Sequence, residues 1–379
     1  MSGNLATNLT LEIKVEVLLS INLRANGVLL VIGFIFICML GVVSYETASV
    51  SYILLAIYAL FGRSQAVIAL AISCLFTMIT PGIAPFEGVG SVGRYVVFLG
   101  AALSVIIRSN ILKGYFRVSA LLVGTLVFGV GLAVHSLLVS PYPEVSILKV
   151  ISWTLVMSTL ISAWGGMNEE ERRDCYEKLY FGLIVLAILS LPLVFLPLGY
   201  LRNGTGFQGL LNHPQAFGPT MAVLGTLAAS RFLSQKKASW SNLIVFFTCC
   251  VAIYLSESRT AGVAILVALA LAFLITPFFS NKGISFLMPG LKGKKLWIVA
   301  SVLLLISVSF MPLISKSLSS FVSKSGRAGD AVSVYDAYEG SRGAFIGNLL
   351  ANIEKKPLLG LGFGIASDPK QMDVRTDAI

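Results

Sequence analysis

Charge is scarce in this chain: 18 Asp plus Glu, 28 Lys plus Arg and 2 His among 379 residues, so that 12% of side chains are charged. A soluble catalytic domain solvates itself with more than that, and none is evident along the sequence. Cysteine is sparse as well. Cys38, Cys74, Cys175, Cys249 and Cys250 lie mainly in apolar runs without metal-type or redox spacing, and they read as core filler. The first 25 residues lack the basic start and small-residue cleavage site of a removable signal; they mix polar groups with Glu12, Lys14, Glu16 and Arg24, which leaves the first apolar span as the insertion signal. There is no paired-Asp or His-rich constellation, so a metal-independent reaction without a cofactor is expected. Nor is an internal repeat visible, which weighs against transporters built from duplicated halves. The excess of ten positive charges is spread over short loops and not interleaved with aromatics, unlike a nucleic-acid surface.

What is abundant is apolar sequence: 56% of residues are hydrophobic, and the mean hydropathy is +0.87. A hydrocarbon core about 30 Å thick needs roughly 20 apolar residues per helix, and windows of that kind recur along the chain. They fall near 27–43, 47–62, 64–80, 91–107, 118–139, 146–165, 180–200, 214–230, 241–256, 260–279 and 296–314, about eleven in all. The fold class is therefore all-α, a polytopic membrane bundle. The second and third windows are short, and Gly62-Arg63-Ser64 between them reads either as a tight turn or as a kink in one tilted helix.

Loops that stay in the cytoplasm retain Lys and Arg. With the N-terminus inside, the inner segments hold Arg63, Arg108, Lys113, Arg117, Arg172, Arg173, Lys178, Arg231, Lys236, Lys237, Lys282 and Lys292 among others, whereas the short outer turns hold Arg94, Lys149, Arg202 and Arg259. The acidic run Glu169-Glu170-Glu171 reads as a solvated inner loop. On this threading the chain divides into a cytoplasmic segment 1–26, a transmembrane domain 27–314 and a periplasmic loop 315–379. In that loop Phe345, Ile346, Leu349, Leu350 and Ile353 recur at helical spacing, and Pro357 ends the pattern, as expected of an amphipathic surface helix. The sequence stops at Asp377-Ala378-Ile379 with no returning span, so a longer protein is expected.

The residues that draw attention are arginines on the side where few are expected. Arg202 opens the glycine-rich turn Leu201-Arg202-Asn203-Gly204-Thr205-Gly206-Phe207-Gln208-Gly209, and Arg259 follows Ser256-Glu257-Ser258 at the next outer turn. A guanidinium offers a permanent charge and a planar fork matched to phosphate oxygens; snorkelling to headgroups is the competing reading. Arg94 and Lys149 either complete such a pocket or anchor their helix ends. His213, before Pro214, either accepts a proton from a sugar hydroxyl or hydrogen-bonds backbone at a helix start. His135 reads as structural. Glu257 is expected to be partly buried and paired with Arg259 or another arginine, and would act as a general base only with a lone pair facing the acceptor. Gly360-Leu361-Gly362-Phe363-Gly364 has no Lys-Ser/Thr after it and no βαβ unit around it, so it reads as a turn and not a nucleotide loop.

Three stretches in this order, Gly209-Leu210-Leu211-Asn212-His213-Pro214-Gln215-Ala216-Phe217-Gly218, Ser256-Glu257-Ser258-Arg259-Thr260-Ala261-Gly262 and Lys356-Pro357-Leu358-Leu359-Gly360-Leu361-Gly362-Phe363-Gly364, make the region from about 200 to 370 resemble the O-antigen ligase and polymerase superfamily, exopolysaccharide polymerases included. The resemblance implies a C-type glycosyltransferase fold in the bacterial inner membrane and an undecaprenyl-diphosphate-linked oligosaccharide as donor. It implies a glycan or lipid A core as acceptor, membrane lipids around the bundle, and polysaccharide export or chain-length proteins as partners. It also implies that Arg202 and Arg259 hold the diphosphate, that Arg342 is the family's loop arginine, and that a further outer-loop histidine acts as base, here either beyond residue 379 or replaced. Polymerisation of lipid-linked repeats is the preferred expectation, and ligation to lipid A core is the neighbouring one. A lipid-linked sugar flippase is the rival from another class, disfavoured because the span interiors are nearly free of charge.

Overall fold

The computed structural model describes residues 36, 40, 43–80, 82–83, 89–108, 119–201, 206–235, 239–279, 287–294, 297–298, 301, 350, 353–354, 357, 359–360 and 362–365. Among these, nine α-helices run in chain order: α1 (Tyr45–Leu60), α2 (Arg63–Phe76), α3 (Val89–Arg108), α4 (Ala120–Val139), α5 (Pro143–Gly166), α6 (Glu169–Ser190), α7 (Pro214–Ser234), α8 (Trp240–Leu255) and α9 (Arg259–Ile275). Each overlaps one of the apolar windows read from the sequence, although α6 starts eleven residues ahead of its window at 180–200 and ends at Ser190. The windows 27–43 and 296–314 fall almost wholly outside the described residues, as does most of the expected amphipathic helix, of which only residues 350, 353 and 354 are described, all helical.

Among the described residues four helical stretches are long and apolar enough to cross a membrane: Ala120–Val139, Pro143–Gly166, Glu169–Phe195 and Arg259–Phe279. Their outward faces are apolar, with Leu138 80%, Leu266 69% and Leu274 65% exposed, as side chains facing lipid require. The shorter α1 and α2 are separate helices joined at Gly62, not one kinked rod; they pack side by side, with Tyr52 edge-on to Phe76 at 6.1 Å.

Local chemistry sets the helix starts. Ser44 and Thr47 form a reciprocal capping box at α1, and Asn168 and Glu171 form another at α6. The acidic run Glu169-Glu170-Glu171, read from sequence as a loop, is thus the first turn of α6, where negative charge complements the helix dipole. At its other end Pro192 and Pro197 withhold backbone donors, and the chain continues as two short 3-10 turns, Leu191–Phe195 and Pro197–Gly199.

Two packed groups result. α1, α2 and α3 form one core with Ala163 and Met167 near the end of α5 and Cys175 of α6; α6, α7, α8 and α9 form the other around Leu211, Phe217, Met221 and Cys249. Cys175 and Cys249 are buried filler as read, whereas Cys74 is exposed. At one end of the bundle arginines close the helix termini. Arg63 donates to the carbonyls of Gly166 and Arg108, and Arg108 donates to the Leu60 carbonyl at 2.6 Å and to the Ser104 hydroxyl at 2.8 Å. These carbonyls end α5, α3 and α1, where intrahelical donors run out. Arg231, at the same end, pairs with Glu177 at 2.6 Å and lies 3.9 Å over the Tyr180 ring. The basic residues that the sequence offers as topology markers are therefore also structural staples.

Candidate functional site

The opposite end of the bundle gathers the residues singled out in the sequence. Here α2 ends, α7 begins, and α8 turns into α9. The glycine-rich turn is laced to all of them: Thr80 donates its N–H to the Leu210 carbonyl at 2.9 Å, Asn212 to Met78 at 2.6 Å, Gln208 to Gly199 at 2.8 Å, and Phe207 to Leu255 at 2.9 Å. Isolated antiparallel bridges pair Ile79 with Leu211 and Tyr200 with Phe207. The Ser190 hydroxyl accepts from the Leu210 N–H at 3.2 Å. Gly206 and Gly209 adopt φ of +65° and +57°, the left-handed region that favours glycine.

This lacing brings the first two sequence motifs into contact. At Gly218, in the second turn of α7, an added Cβ would lie 2.3 Å from Ser258 Cβ and 3.0 Å from Ser256 Oγ. The turn between α8 and α9 packs that closely on α7, and Ser256 and Ser258 are buried by it.

Arg259 is the first residue of α9, with its N–H on the Glu257 carbonyl at 3.1 Å. Its side chain is half-buried, and its Nη2 is enclosed with no hydrogen-bond partner among the described residues. Enclosed guanidinium nitrogens are ordinarily satisfied; among the described residues Arg63 Nε and Arg94 Nε are also unpartnered, whereas the terminal nitrogens of Arg63 and Arg108 are bonded at the other end. Two helix N-termini, those of α7 and α9, add their positive dipole ends to this charge.

His213 is the N-cap of α7, with Pro214 at the first helical position; its Nδ1 accepts the Gln215 N–H at 3.0 Å. Of the two roles read for it, helix capping is the one the geometry displays. Glu257 corrects its expectation: it is exposed, and no ion pair joins it to Arg259 among the described residues. Its φ of +53°, uncommon for a residue with a Cβ, belongs to the tight turn that turns the carboxylate outward despite apolar neighbours.

The other candidates are not all gathered there. Arg94, in the second turn of α3, lies 5.1 Å over the Tyr95 ring and donates to the Tyr95 hydroxyl at 3.3 Å, and none of its described contacts is with the turns at 206–213 or 256–259. Lys149 donates to the Gly364 carbonyl at 2.7 Å. Arg202 and Arg342 lie outside the described residues. Sequence reasoning gave no role to Gln208, which is buried with its Nε2 on the Leu198 carbonyl at 3.4 Å and its Oε1 unpartnered among the described residues. An amide set between Phe207 and Gly209, ahead of Leu210-Leu211, was the signal available. Beneath the turn, an apolar cleft of about 420 Å³ is lined by Ser190, Phe207, Phe217, Phe247, Val251 and Leu255, among others.

Comparison with known proteins adds one finding: residues 244–378 match the family model described as O-antigen ligase (Wzy_C). The match begins within α8, so the resemblance read at Gly209–Gly218 precedes it; the glycine-rich turn meets the matched part through the Phe207–Leu255 hydrogen bond and α7 meets it through the Gly218–Ser258 contact. No curated protein and no solved structure matched the chain. The turn bearing Arg259, all of α9 and the late glycine stretch therefore lie within an O-antigen ligase family domain, residues 244–378.

Proposed function

We propose that the protein transfers glycan from an undecaprenyl-diphosphate-linked donor to a glycan acceptor at the periplasmic face of a bacterial inner membrane, lengthening exopolysaccharide or O-antigen repeats. The observation that carries this reading is Arg259, a half-buried cation near two helix N-termini whose Nη2 is enclosed with no acceptor among the described residues. That arrangement favours a multiply charged anion, and the surrounding O-antigen ligase match supports a lipid diphosphate in that place. The apolar cleft directly below fits the polyprenyl chain attached to it. Basic residues crowd the other end, from Arg63 to Arg231, which supports a cytoplasmic location for that end and a periplasmic one for the site. About eleven spans, with 27–314 in the bilayer, complete the proposed topology.

In the proposed reaction the acceptor hydroxyl oxygen bonds to the anomeric carbon as the bond from that carbon to the diphosphate oxygen breaks. The diphosphate leaves with the electron pair, and the hydroxyl proton passes to a base. Arg259, with Arg202 and Arg342, stabilises the charge on the leaving group in place of a metal. Glu257 is the better-placed proton acceptor, because capping occupies the Nδ1 lone pair of His213. His213→Asn, which keeps a capping acceptor, is expected to retain transfer within a few-fold, whereas His213→Ala weakens the start of α7 by about 1 kcal/mol. Glycan length from whole cells together with thermal stability of the two variants checks this; equal loss of transfer in both would return the imidazole to the chemistry.

The family's description favours ligation to lipid A core as the second reading. A deletion strain separates them: single lipid-linked repeats on the periplasmic side indicate a lost polymerase, long lipid-linked chains a lost ligase. Repeats held on the cytoplasmic side would point to a flippase and overturn both.

A further inference from the structure

The late glycine stretch is clamped to a part of the chain outside the O-antigen ligase match. Ser136, in the last turn of α4, and Ser146, in the first turn of α5, are both 0% exposed. The Ser146 hydroxyl lies 2.8 Å from the Phe363 carbonyl and 2.9 Å from Ser136 Oγ, and the Phe363 N–H points to Ser136 Oγ at 3.4 Å. Ser146 Oγ carries a single hydrogen with two acceptors in reach, the Phe363 carbonyl and Ser136 Oγ, while Ser136 Oγ accepts from the Phe363 N–H; the two hydroxyls so engage both backbone groups of Phe363. Beside it, Lys149 Nζ donates to the Gly364 carbonyl at 2.7 Å, and the Trp153 ring stands 6.3 Å from the Phe363 ring. Gly362, at φ +95°, passes so close that a Cβ would lie 2.6 Å from Ser140 Cβ.

Two buried serines on apolar helices cost desolvation unless fully bonded, and the peptide at Phe363 completes their bonding. We propose that the α4–α5 turn is the docking post for the chain that follows α9, with Ser136, Ser146 and Lys149 as positioning residues that fix where this chain returns to the bundle. The post is at the site end: α5 runs from this turn to Gly166, where Arg63 at the start of α2 meets it, and α2 ends against the glycine-rich turn. The consequence for transfer rests on the glycosyltransferase reading above; the clamp itself does not. It touches no reacting atom, so loosening it raises KM for the acceptor more than it lowers kcat.

The test has two arms, both on the full chain in membranes. In a cysteine-free background, the pair Trp153→Cys and Phe363→Cys is expected to join by oxidation or a short bis-thiosulfonate bridge, and Ile151→Cys with Phe363→Cys is not, because Ile151 points away at 55% exposure. Adding Ser136→Ala, Ser146→Ala and Lys149→Met should abolish the joining. Equal joining at 151, or joining indifferent to those three changes, overturns the clamp. In the transfer arm, Ser146→Ala with Lys149→Met should raise the acceptor KM about tenfold, with Ser146→Thr and Lys149→Arg restoring it. Wild-type KM in the former pair overturns the positioning role. Absence of transfer by the wild-type chain would count against the glycosyltransferase reading alone, and the cross-linking result would still decide the clamp.

Discussion

Replacing Arg259 by lysine is expected to cut glycan transfer by about 10²–10³-fold, and replacing it by alanine by at least as much. The reason is geometric as well as electrostatic. Nη2 of Arg259 is enclosed without an acceptor among the described residues while the backbone of the same residue starts α9, so the fork is held at the mouth of a helix dipole and aimed by the turn that carries it. Lysine keeps the charge but offers a flexible point donor that cannot bond two phosphate oxygens at fixed spacing. Arg202→Lys and Arg202→Ala are expected to behave the same way. Glycan length distributions from whole cells at matched protein levels provide the measurement. Wild-type lengths in the alanine variants would remove the arginines from the site.

Gly218→Val is the second large effect. The space a side chain would occupy is taken by Ser258 Cβ and Oγ at 2.3 and 2.5 Å, and Ser258 is itself buried within the turn. The valine forces α7 away from the α8–α9 turn, an overpacking cost of about 1–3 kcal/mol. It also displaces Arg259, one residue beyond the clash, from its place beside the glycine-rich turn. A shift on the order of 1 Å at a reacting centre costs about 10²-fold in rate. Gly131→Ala provides the control, since nothing lies within 4 Å of the added atom on α4. A Gly218→Val protein that keeps both melting temperature and transfer would mean that the contact between the two motifs has no part in the site.

The helices were legible because lipid imposes a length and a polarity on every span, and His213-Pro214 stood where a helix start is expected; the capping boxes at Ser44 and Asn168 emerged only in the structure, and the first turn of α6 read as a loop. The Ser256–Arg259 turn was legible as an arginine on the sparsely basic side. Contacts made at long sequence range were not. Ser136 and Ser146 look like ordinary small residues on apolar helices, and nothing near them names Phe363 as their partner. Arg63 and Arg108 count equally well as topology markers or as caps on distant carbonyls; only packing puts Gly166 and Leu60 within their reach. Glu257 was misread because apolar neighbours suggested burial, whereas a left-handed turn residue projects away from the helices it joins.

The central claim is that the end of the bundle holding Arg259 faces the periplasm. Gln215 is exposed at that end and Glu170 at the other, so Gln215→Cys and Glu170→Cys in a cysteine-free background report the two sides. The account predicts that a membrane-impermeant maleimide, given to cells with a permeabilised outer membrane, labels position 215 and spares position 170 until the inner membrane is broken. Labelling of position 170 with protection of position 215 would put the arginine site in the cytoplasm and contradict it.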